Sequence, residues 1–328
     1  MLSLFKVLSD ATRLRLLRIL RQGDFTVQDL MQILDMGQSR ISRHLKLMSD
    51  AGLLQVEKQG TWHYYRLSIK EGLFGDLWPS LESRLADLGE QERDAVGVLQ
   101  VMSERRKRNQ EFFNQHARDW DNIHVELLNL PDYQDRLLAM IPPGGLVVEI
   151  GVGTGSLLPQ LAKKGERTLG LDHSPSMIKL ARETVAQQQL AGKVEVRLAE
   201  MNHLPCADDS VRTVVLNQVL HHAEQPVEVL REVARVLEPG GSLVVADLTR
   251  HGHDWARERL ADQWLGFKRE ELEKWLADTG LLMSECQEVE ALSGQQPVLL
   301  LKATIHKHNP ESVFQGNNKT TEDLFDDR

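Results

Sequence analysis

Residues 146–156 of this 328-residue chain read LVVEIGVGTGS, and this segment is the most informative about its fold. A short apolar run ends there in three alternating glycines, Gly151, Gly153 and Gly155, with Glu149 just before them. Glycines allow positive φ angles and a close approach of the backbone to a ligand, and the N-terminus of a following helix offers free N–H groups to an anion. A dinucleotide-binding loop, G-x-G-x-x-G, would need glycine at Ser156. The pattern therefore predicts a strand, a ligand-binding loop and a helix.

Apolar runs and amphipathic helices continue to alternate after this loop, which predicts a parallel α/β sheet. Ligands of such sheets bind at the C-terminal ends of the strands, near the point where the strand order reverses. Asp172 ends the second strand of the series, Glu200 ends the third and Asn217 ends the fourth. A carboxylate at Asp172 can accept hydrogen bonds from both hydroxyls of a ribose. We expect these residues to share one cleft.

Residues 1–70 differ in charge from the rest of the chain. They contain eleven Lys or Arg against six Asp or Glu, a net charge of +5, which leaves −14 on residues 71–328. This asymmetry predicts that only the N-terminal part meets a polyanion. Ile41, Leu45 and Met48 recur at helical spacing and predict one buried face. The outward side chains of that helix are Ser39, Arg40, Ser42, Arg43 and Lys46, with His44 near the edge.

A helix that carries Arg and Ser outward after a short turn is what insertion into a DNA major groove requires. Beyond Gly52, the segments LLQVEK and TWHYYRL flank a turn at Gln59–Gly60 and predict a β-hairpin. Lys58 lies on this hairpin, where it would approach phosphates. A helix-turn-helix followed by a hairpin is a winged helix, with both helices and strands.

Residues 71–125 read as a helical connector with a leucine stripe at Leu77, Leu81, Leu85 and Leu88. The stripe fits packing against the winged helix and also fits a dimer interface, and the sequence leaves both open. The segment EFFNQHARDWDNIH, residues 111–124, predicts an aromatic-bearing helix that begins the next domain. Residues 306–328 are rich in polar residues and predict a disordered tail.

Composition narrows the class of protein further. Hydrophobic residues make up 41% and charged residues 27% of the chain, which excludes fibrous and wholly disordered proteins. No run approaches the ~18 apolar residues of a membrane span, and Lys6, Asp10 and Arg13 interrupt the apolar N-terminus. We therefore expect a cytoplasmic protein that does not contact a membrane. Cys206 and Cys286 belong to no paired motif, so we expect neither a disulfide framework nor a thiolate zinc site.

Three segments resemble the ArsR/SmtB-type winged-helix repressors: LSDATRLRLLRIL at 8–20, SRISRHLKLMSDAGLL at 39–54 and GTWHYYRL at 60–67. The resemblance implies a homodimer on two-fold operator DNA, double-stranded, with the helix at 38–50 in the major groove. The DNA-binding residues that it implies are Ser39, Arg40, Ser42, Arg43, His44, Lys46 and Lys58. Many members sense metals through a cysteine pair at the positions where this chain has Phe25 and Val27. Other members bind metals through histidines and carboxylates on the dimerisation helix, but residues 70–115 of this chain contain no histidine. We therefore predict no metal site.

Residues 110–303 resemble the class I S-adenosylmethionine (SAM)-dependent methyltransferases, in particular the UbiE-like group that acts on small molecules. SAM is the cofactor that this resemblance implies, with S-adenosylhomocysteine (SAH) as product or effector. Glu200 stands where the family usually has Asp, a difference of one methylene. The implied cofactor-binding residues are Glu149, Gly151, Gly153, Gly155, Asp172, His173, Met177, Glu200, Met201, Asn217 and Gln218.

The sequence argues against two familiar classes of methyl acceptor, DNA and arsenite. DNA amino-methyltransferases carry an (Asp/Asn)-Pro-Pro-aromatic motif, whereas Asn217 is followed by Gln, Val and Leu. Arsenite methyltransferases hold the metalloid with several cysteines, and this chain has two. The resemblance to the UbiE-like group implies a small-molecule acceptor, which the sequence does not identify. Candidate catalytic residues are His222, His253 and Asp254, with Trp255 and Trp264 as further candidates for the acceptor site. A packing role for His221 and His222 is the alternative.

Together these patterns predict a multidomain protein. A winged helix-turn-helix domain of the α+β class (1–70) precedes a helical connector and dimerisation segment (71–125), a Rossmann-like α/β methyltransferase domain (126–305) and the tail (306–328). The predicted function is a DNA-binding transcriptional regulator that methylates a small molecule, senses SAM or SAH, or does both. The alternative is a non-enzymatic repressor that responds to SAM or SAH through a catalytically silent methyltransferase fold.

Overall fold

The fold is described by a computed structural model, which covers residues 2–59, 62–69, 72–85, 89–292 and 294–305. The predicted turn at Gly60, Leu88 of the leucine stripe and the tail 306–328 lie outside the described residues. Among the described residues, no helix combines the length and the apolarity needed to cross a membrane.

The N-terminal module is a winged helix, as predicted. Its elements are α1 (Leu2–Leu8), α2 (Ala11–Leu20), α3 (Val27–Leu34), α4 (Gln38–Asp50) and the antiparallel strands β1 (Leu54–Gln59) and β2 (Trp62–Leu67). Helix α1 was not expected. Thr26 and Asp29 form a capping box at the start of α3, which satisfies backbone N–H groups that a helix leaves unpaired at its N-terminus. Leu16, Phe25 and Ile41 are fully buried and form the centre of this module.

The connector contains α5 (Leu73–Leu85) and α6 (Gln91–His116). Trp78 and Leu85 are buried in the winged-helix core, so packing on the winged helix is confirmed for the described part of the stripe. The expected start of a new helix at residue 111 is wrong, because residues 111–116 are the last turns of the 26-residue helix α6. Its length is about 39 Å at 1.5 Å per residue. Gly97 lets this helix approach α3 closely, since a Cβ there would lie 3.1 Å from the Cα of Ile33.

Helices α7 (Trp120–Leu128) and α8 (Gln134–Met140) lead into a seven-stranded sheet. The strands are β3 (Leu146–Ile150), β4 (Arg167–Asp172), β5 (Val194–Leu198), β6 (Val211–Asn217), β7 (Leu237–Leu248), β8 (Leu281–Val289) and β9 (Val298–Ile305). The intervening helices are α9 (Leu158–Lys164), α10 (Pro175–Gln187), the 3₁₀ turn Leu220–His222, α11 (Pro226–Val236), α12 (Trp255–Arg259) and α13 (Arg269–Asp278).

The strand order is β5-β4-β3-β6-β7-β9-β8. Strands β3 to β7 pair in parallel, as predicted. Strand β9 is antiparallel to both β7 and β8, which the alternating pattern did not predict. The short connection between β8 and β9 explains this arrangement, because a parallel pair needs a crossover of a dozen or more residues. The strand order reverses at β3, between β4 and β6, and the glycine loop follows β3 at this switch point.

Candidate functional site

The exposed face of α4 carries the predicted DNA-reading side chains. Ile41, Leu45 and Met48 are buried, so the opposite face of the helix meets solvent. Among the described residues, the side chains of Arg40, Arg43 and Lys46 make no hydrogen bond or ion pair, and all three are exposed. Ser39 is also exposed and Ser42 is half-buried. This face of α4 is therefore available to a partner.

His44 and the wing depart from a simple DNA-facing surface. His44 Nδ1 lies 3.8 Å from the Asp10 carboxylate, and burial together with nearby arginines lowers the pKa of His44. Lys58 is exposed on β1. On β2, however, the Tyr64 hydroxyl accepts a hydrogen bond of 2.9 Å from Arg257 of α12. The guanidinium of Arg66 lies over the ring of Trp264. One face of the wing therefore contacts the C-terminal domain.

The glycine loop has the backbone that its sequence requires. Gly151, Gly153 and Gly155 all have positive φ, of 72°, 54° and 82°. A Cβ at Gly151 would lie 2.2 Å from Val219, and one at Gly155 would lie 3.0 Å from the backbone of Ala181. A Cβ at Gly153 would meet nothing within 4 Å. Two of the glycines thus permit close packing, whereas Gly153 leaves open space at the mouth of the loop.

Asp172 ties the loop to the next helix. One carboxylate oxygen accepts the backbone N–H of Gly153 at 3.0 Å, and the other accepts that of Ser174 at 2.9 Å. A carboxylate has about four lone-pair sites, so Asp172 keeps acceptor capacity for a ligand. Nε2 of the adjacent His173 is buried and makes no hydrogen bond with the described residues. The strand end therefore presents one acceptor and one unsatisfied ring nitrogen.

The cleft above these residues is assembled from both predicted and unpredicted side chains. The predicted residues that line it are Gly151, Gly153, Asp172, His173, Met177, Met201, Gln218 and His222. Phe113 from α6 and Trp120 from α7 also line it and were missed. Their only sequence signal was the aromatic cluster at 111–124, which was assigned to an ordinary helix. Gln218 has a φ of 53°, a strained value that in a non-glycine residue is typical of functional sites.

A second cleft of about 320 Å³ continues from the first past His173, Met201 and His222. Glu200 lines this second cleft, opposite Arg105 and Arg106 of α6. Glu224 lines this cleft as well. Burial raises the pKa of Glu224 to about 7, although the positive charges of Arg105 and Arg106 act to lower it. The space beside Glu200 thus lies between the C-terminal domain and the helix that enters the winged-helix core.

Several predicted residues do not line either cleft. Glu149 is 2% exposed behind the loop, where burial and the Asp172 carboxylate raise its pKa to about 8. Gly155 packs against α10. The side chain of Asn217 accepts a hydrogen bond from the Tyr133 hydroxyl. His253 is exposed and its ring stacks on Trp255, with Asp254 beside it. The structure therefore does not bring His253 and Asp254 together with His222 in the cleft.

Helix α6 holds the cleft through amide side chains. Gln110 donates a hydrogen bond of 2.6 Å to the carbonyl of His173. The Asn114 carbonyl oxygen accepts hydrogen bonds from the Ser174 hydroxyl at 2.7 Å and from the Ser176 backbone N–H at 3.3 Å. These contacts fix α6 to the start of α10, directly beside Asp172. The cleft is thus closed by a helix whose other end belongs to the winged helix.

These features define the class of protein: a winged-helix DNA-binding module joined to a Rossmann-like α/β domain of the class I methyltransferase type. Residues 10–56 match the bacterial regulatory proteins of the arsR family, and residues 148–245 match a methyltransferase domain family. The arsenic resistance transcriptional regulator ArsR1 of Pseudomonas putida is 36% identical over 105 residues, 28% of this chain and 82% of that protein.

An arsenite methyltransferase of Halobacterium salinarum is 37% identical over 118 residues, 35% of this chain. The chain spans 30% of that protein's length. One chain in the solved complex of a Haloferax volcanii methyltransferase with its methyltransferase activator has the same fold, with a TM-score of 0.50. The two chains are 22% identical, and the match covers 60% of this chain and 98% of that one. This protein belongs to the ArsR family through its N-terminal module and carries a class I methyltransferase domain after it.

Proposed function

We propose that this protein is a transcriptional regulator that binds operator DNA as a homodimer, binds SAM in the cleft and methylates a small molecule. We further propose that the bound cofactor changes its affinity for DNA. The observation that carries this proposal is the continuous helix α6, which is part of the winged-helix core at one end and closes the cofactor cleft at the other.

DNA binding is supported by the exposed cationic face of α4. Arginine reads guanine through two parallel hydrogen bonds in the major groove, which requires a guanidinium that is not occupied elsewhere. Arg40 and Arg43 meet this requirement within the described part of the chain. Lys58, on the wing, is suited to a phosphate, a contact that fixes position without reading sequence.

The homodimer is supported by exposed apolar side chains of the N-terminal module. Leu2 and Phe5 of α1 are 76% and 49% exposed, and Val96 and Leu99 of α6 are each 62% exposed. Apolar side chains grouped on exposed helix faces are typical of interaction surfaces. A second copy of the chain is the partner that a two-fold operator requires.

The residues of the cleft fit SAM. Gly153 leaves open space for a ligand, and Asp172 retains lone pairs that can accept the ribose hydroxyls. Nε2 of His173 is buried without a partner among the described residues, and Met177 and Met201 supply apolar surface for the adenine. When bound, SAM supplies an electrophilic methyl group and leaves SAH. His222 lines the same cleft, next to the space that an acceptor would occupy.

The acceptor that we propose is a small molecule other than arsenite. Cys206 lies in a surface depression with Arg167 and Glu195, at the opposite end of the strands from the glycine loop. Cys286 is on β8, at the edge of the sheet. Neither thiol lines the cofactor cleft, so the cleft offers no thiolate to a metalloid. Alignment of donor and acceptor can supply much of the rate acceleration of a methyl transfer.

Coupling between the two sites is supported by Arg105 of α6. Its guanidinium pairs with Asp29 in the capping box of α3. Arg105 also lines the second cleft, together with Glu200. At the cleft end, Asn114 binds the start of α10. A ligand that binds one arrangement of α6 better than another will shift the position of the helix-turn-helix.

The test is a titration of operator DNA by fluorescence anisotropy with the apo protein, with saturating SAM and with saturating SAH. We expect the operator affinity to change by about 5- to 150-fold, the usual range of allosteric coupling. Operator DNA should change the cofactor affinity by the same factor. Asp172→Ala should abolish the response and leave apo binding intact. Superimposable curves in the three states would contradict the coupling.

A second candidate function is a sensor without catalytic turnover. It is favoured by the positions of His253 and Asp254, the predicted acceptor-site groups, outside the lining of the cleft. Incubation of the protein with SAM and fractionated cell extract distinguishes the two functions. Formation of SAH in excess of the protein concentration supports a methyltransferase, and DNA affinity that responds to SAM without such turnover supports the sensor.

A further inference from the structure

Three side chains from two distant segments of the chain lie close together next to the cleft. His221 and His222 lie in the 3₁₀ turn after β6, and Asp262 lies in the loop after α12. Each offers a nitrogen or oxygen ligand atom, and these atoms lie within 4.8 Å of one another. The exposed fractions are 1% for His221, 7% for His222 and 2% for Asp262. The cluster is thus buried, and His222 links it to the cleft.

The distances are close to those of a metal site. His221 Nε2 lies 3.6 Å from an Asp262 carboxylate oxygen, and His222 Nδ1 lies 3.8 Å from the same oxygen. Tetrahedral zinc with bonds of about 2.0–2.1 Å to N and O ligands separates neighbouring ligand atoms by about 3.3–3.4 Å. A contraction of about 0.2–0.5 Å would bring each of these two nitrogen–oxygen distances to that value, and the two ring nitrogens lie within 4.8 Å of each other.

Asp247 orients His221 in the way that a metal ligand requires. Its carboxylate lies 2.7 Å from His221 Nδ1 and also accepts the backbone N–H groups of Leu220 and Leu248. This carboxylate fixes the proton of the ring on Nδ1 and leaves Nε2 directed at Asp262. Metal-binding histidines almost always donate their second N–H to a carboxylate or carbonyl in this manner.

The buried carboxylate of Asp262 also indicates a bound cation, independently of the ligand distances. Both of its carboxylate oxygens are buried and accept no hydrogen bond from the described residues. The guanidinium of Arg257 attracts it but donates instead to the Gln263 carbonyl and to the Tyr64 hydroxyl. A buried carboxylate without a hydrogen-bonded partner is costly. Asp247 and Asp262 together place two acidic groups around His221, a charge that one divalent cation balances.

We propose that His221, His222 and Asp262 bind one divalent transition metal ion, with Zn²⁺ as the best match. Imidazole and carboxylate ligands suit zinc. Three protein ligands leave a fourth position for water or for an anionic donor atom of a small molecule. This proposal departs from the expectation of no metal, which rested on cysteines and on local histidine spacing. Asp262 is 40 positions from His222, and only the fold brings the two together.

The first experiment uses the full chain, with its affinity tag removed, after purification without chelators. We expect mass spectrometry of the metal content to find about one Zn²⁺ per chain. After removal of metal with a chelator, titration with Co²⁺ should give the visible absorption bands of tetrahedral Co²⁺, saturating at one equivalent and lost on addition of Zn²⁺. Absence of both the bound Zn²⁺ and the tetrahedral Co²⁺ spectrum in this wild-type chain would overturn the proposal.

The second experiment assigns the ligands. Asp262→Asn and His222→Gln should abolish the tetrahedral Co²⁺ spectrum, and Asp247→Asn should weaken the affinity by about 10- to 100-fold, as is usual for a group that orients a ligand. His253→Gln is the matched control, because His253 is exposed outside the cluster, and it should bind Co²⁺ like the wild type. An unchanged spectrum in Asp262→Asn, or loss of the spectrum in His253→Gln, would contradict this assignment. SAM binding, measured separately by calorimetry, is a distinct readout from metal binding.

Discussion

Helix α6 packs on apolar side chains at both ends, but its polar contacts differ: buried ion pairs hold the N-terminal end, whereas the amide side chains of Gln110 and Asn114 hold the C-terminal end. Val98 and Val101 are 1% and 2% exposed in the winged-helix core. Asp94 pairs with Arg18 at 2.6 Å and with Arg15 at 2.6 Å. At the cleft end, Phe113 and Ala117 pack against Met177 of α10, and the hydrogen bonds of Gln110 and Asn114 to loop and helix termini are neutral.

The two kinds of polar contact indicate which end of α6 can respond to a ligand. A charge buried with its partners is held firmly, since separating them leaves an uncompensated charge. A neutral hydrogen bond contributes only about 0.5–1.5 kcal/mol, because water replaces it. We infer that α6 moves with the DNA-reading module and adjusts at the cleft. The four predictions that follow test this contrast.

The largest effect is expected at the fixed end. Asp94→Asn removes the partner of two arginine side chains and should lower the free energy of unfolding by about 3–5 kcal/mol, the cost of breaking a buried ion pair. Urea denaturation followed by circular dichroism measures this change. Glu82→Gln is the control, because Glu82 pairs with Arg21 at the surface, and it should cost about 1 kcal/mol or less. Equal losses for the two variants would show that the Asp94 end is not the firm anchor.

A second prediction compares Asp94 with Glu149, a buried carboxyl group on β3 behind the glycine loop, whose Oε2 has no hydrogen-bond partner among the described residues. Burial and Asp172 raise the pKa of Glu149 to about 8, so the folded state retains a proton that the unfolded chain releases near pH 4.5. Stability contributed by this group is complete below pH 4.5 and is lost as the pH rises through 8.

The free energy of unfolding of Glu149→Gln should therefore equal that of the wild type at pH 4.5. At pH 9 it should be larger by about 1–3 kcal/mol, the cost of an unsatisfied buried group in the wild type. Thermal unfolding at several pH values measures the difference. Glu285→Gln, at an exposed position on β8, should show no such trend. A gap between Glu149→Gln and the wild type that narrows with increasing pH would reverse the sign of this argument.

The third prediction concerns the surface that α6 supports. Arg43→Ala should lose about 1–3 kcal/mol of discrimination between the operator and a sequence with one changed base pair, if its guanidinium reads a guanine. Lys58→Ala should weaken binding to all sequences similarly, since a phosphate contact carries no sequence information. Competition titrations with both DNA sequences measure these effects. Operator affinity equal to the wild type in an Arg40→Ala/Arg43→Ala double variant would contradict the placement of α4 in the groove.

The smallest effect is expected at the adjustable end. Asn114→Ala removes the acceptor of the Ser174 hydroxyl and should reduce the SAM-dependent change in operator affinity by about 0.5–1.5 kcal/mol, the value of one hydrogen bond. Anisotropy titrations with and without SAM measure it. Gln115→Ala, at the next and exposed position of α6, is the matched control. A full response in Asn114→Ala would exclude this contact from the coupling.

Both folds and most of the polar lining of the cleft could be predicted from the sequence. The loop from Gly151 to Gly155 and the spacing of Ile41, Leu45 and Met48 are local patterns, and local patterns fix dihedral angles and buried faces directly. For the same reason, the carboxylate at Asp172 and the basic face of α4 were found by their positions at a strand end and on a helix.

The way in which these parts meet could not be predicted from the sequence. The contact of Tyr64 with Arg257 and the approach of Asp262 to His221 join residues far apart in the chain. The structure also shows that α6 continues through residue 111 and that Phe113 and Trp120 line the cleft. Such contacts depend on packing between whole elements, and periodicity within a short window carries no information about them. The apolar pattern therefore predicted each domain, while the packing between the domains created the link between them.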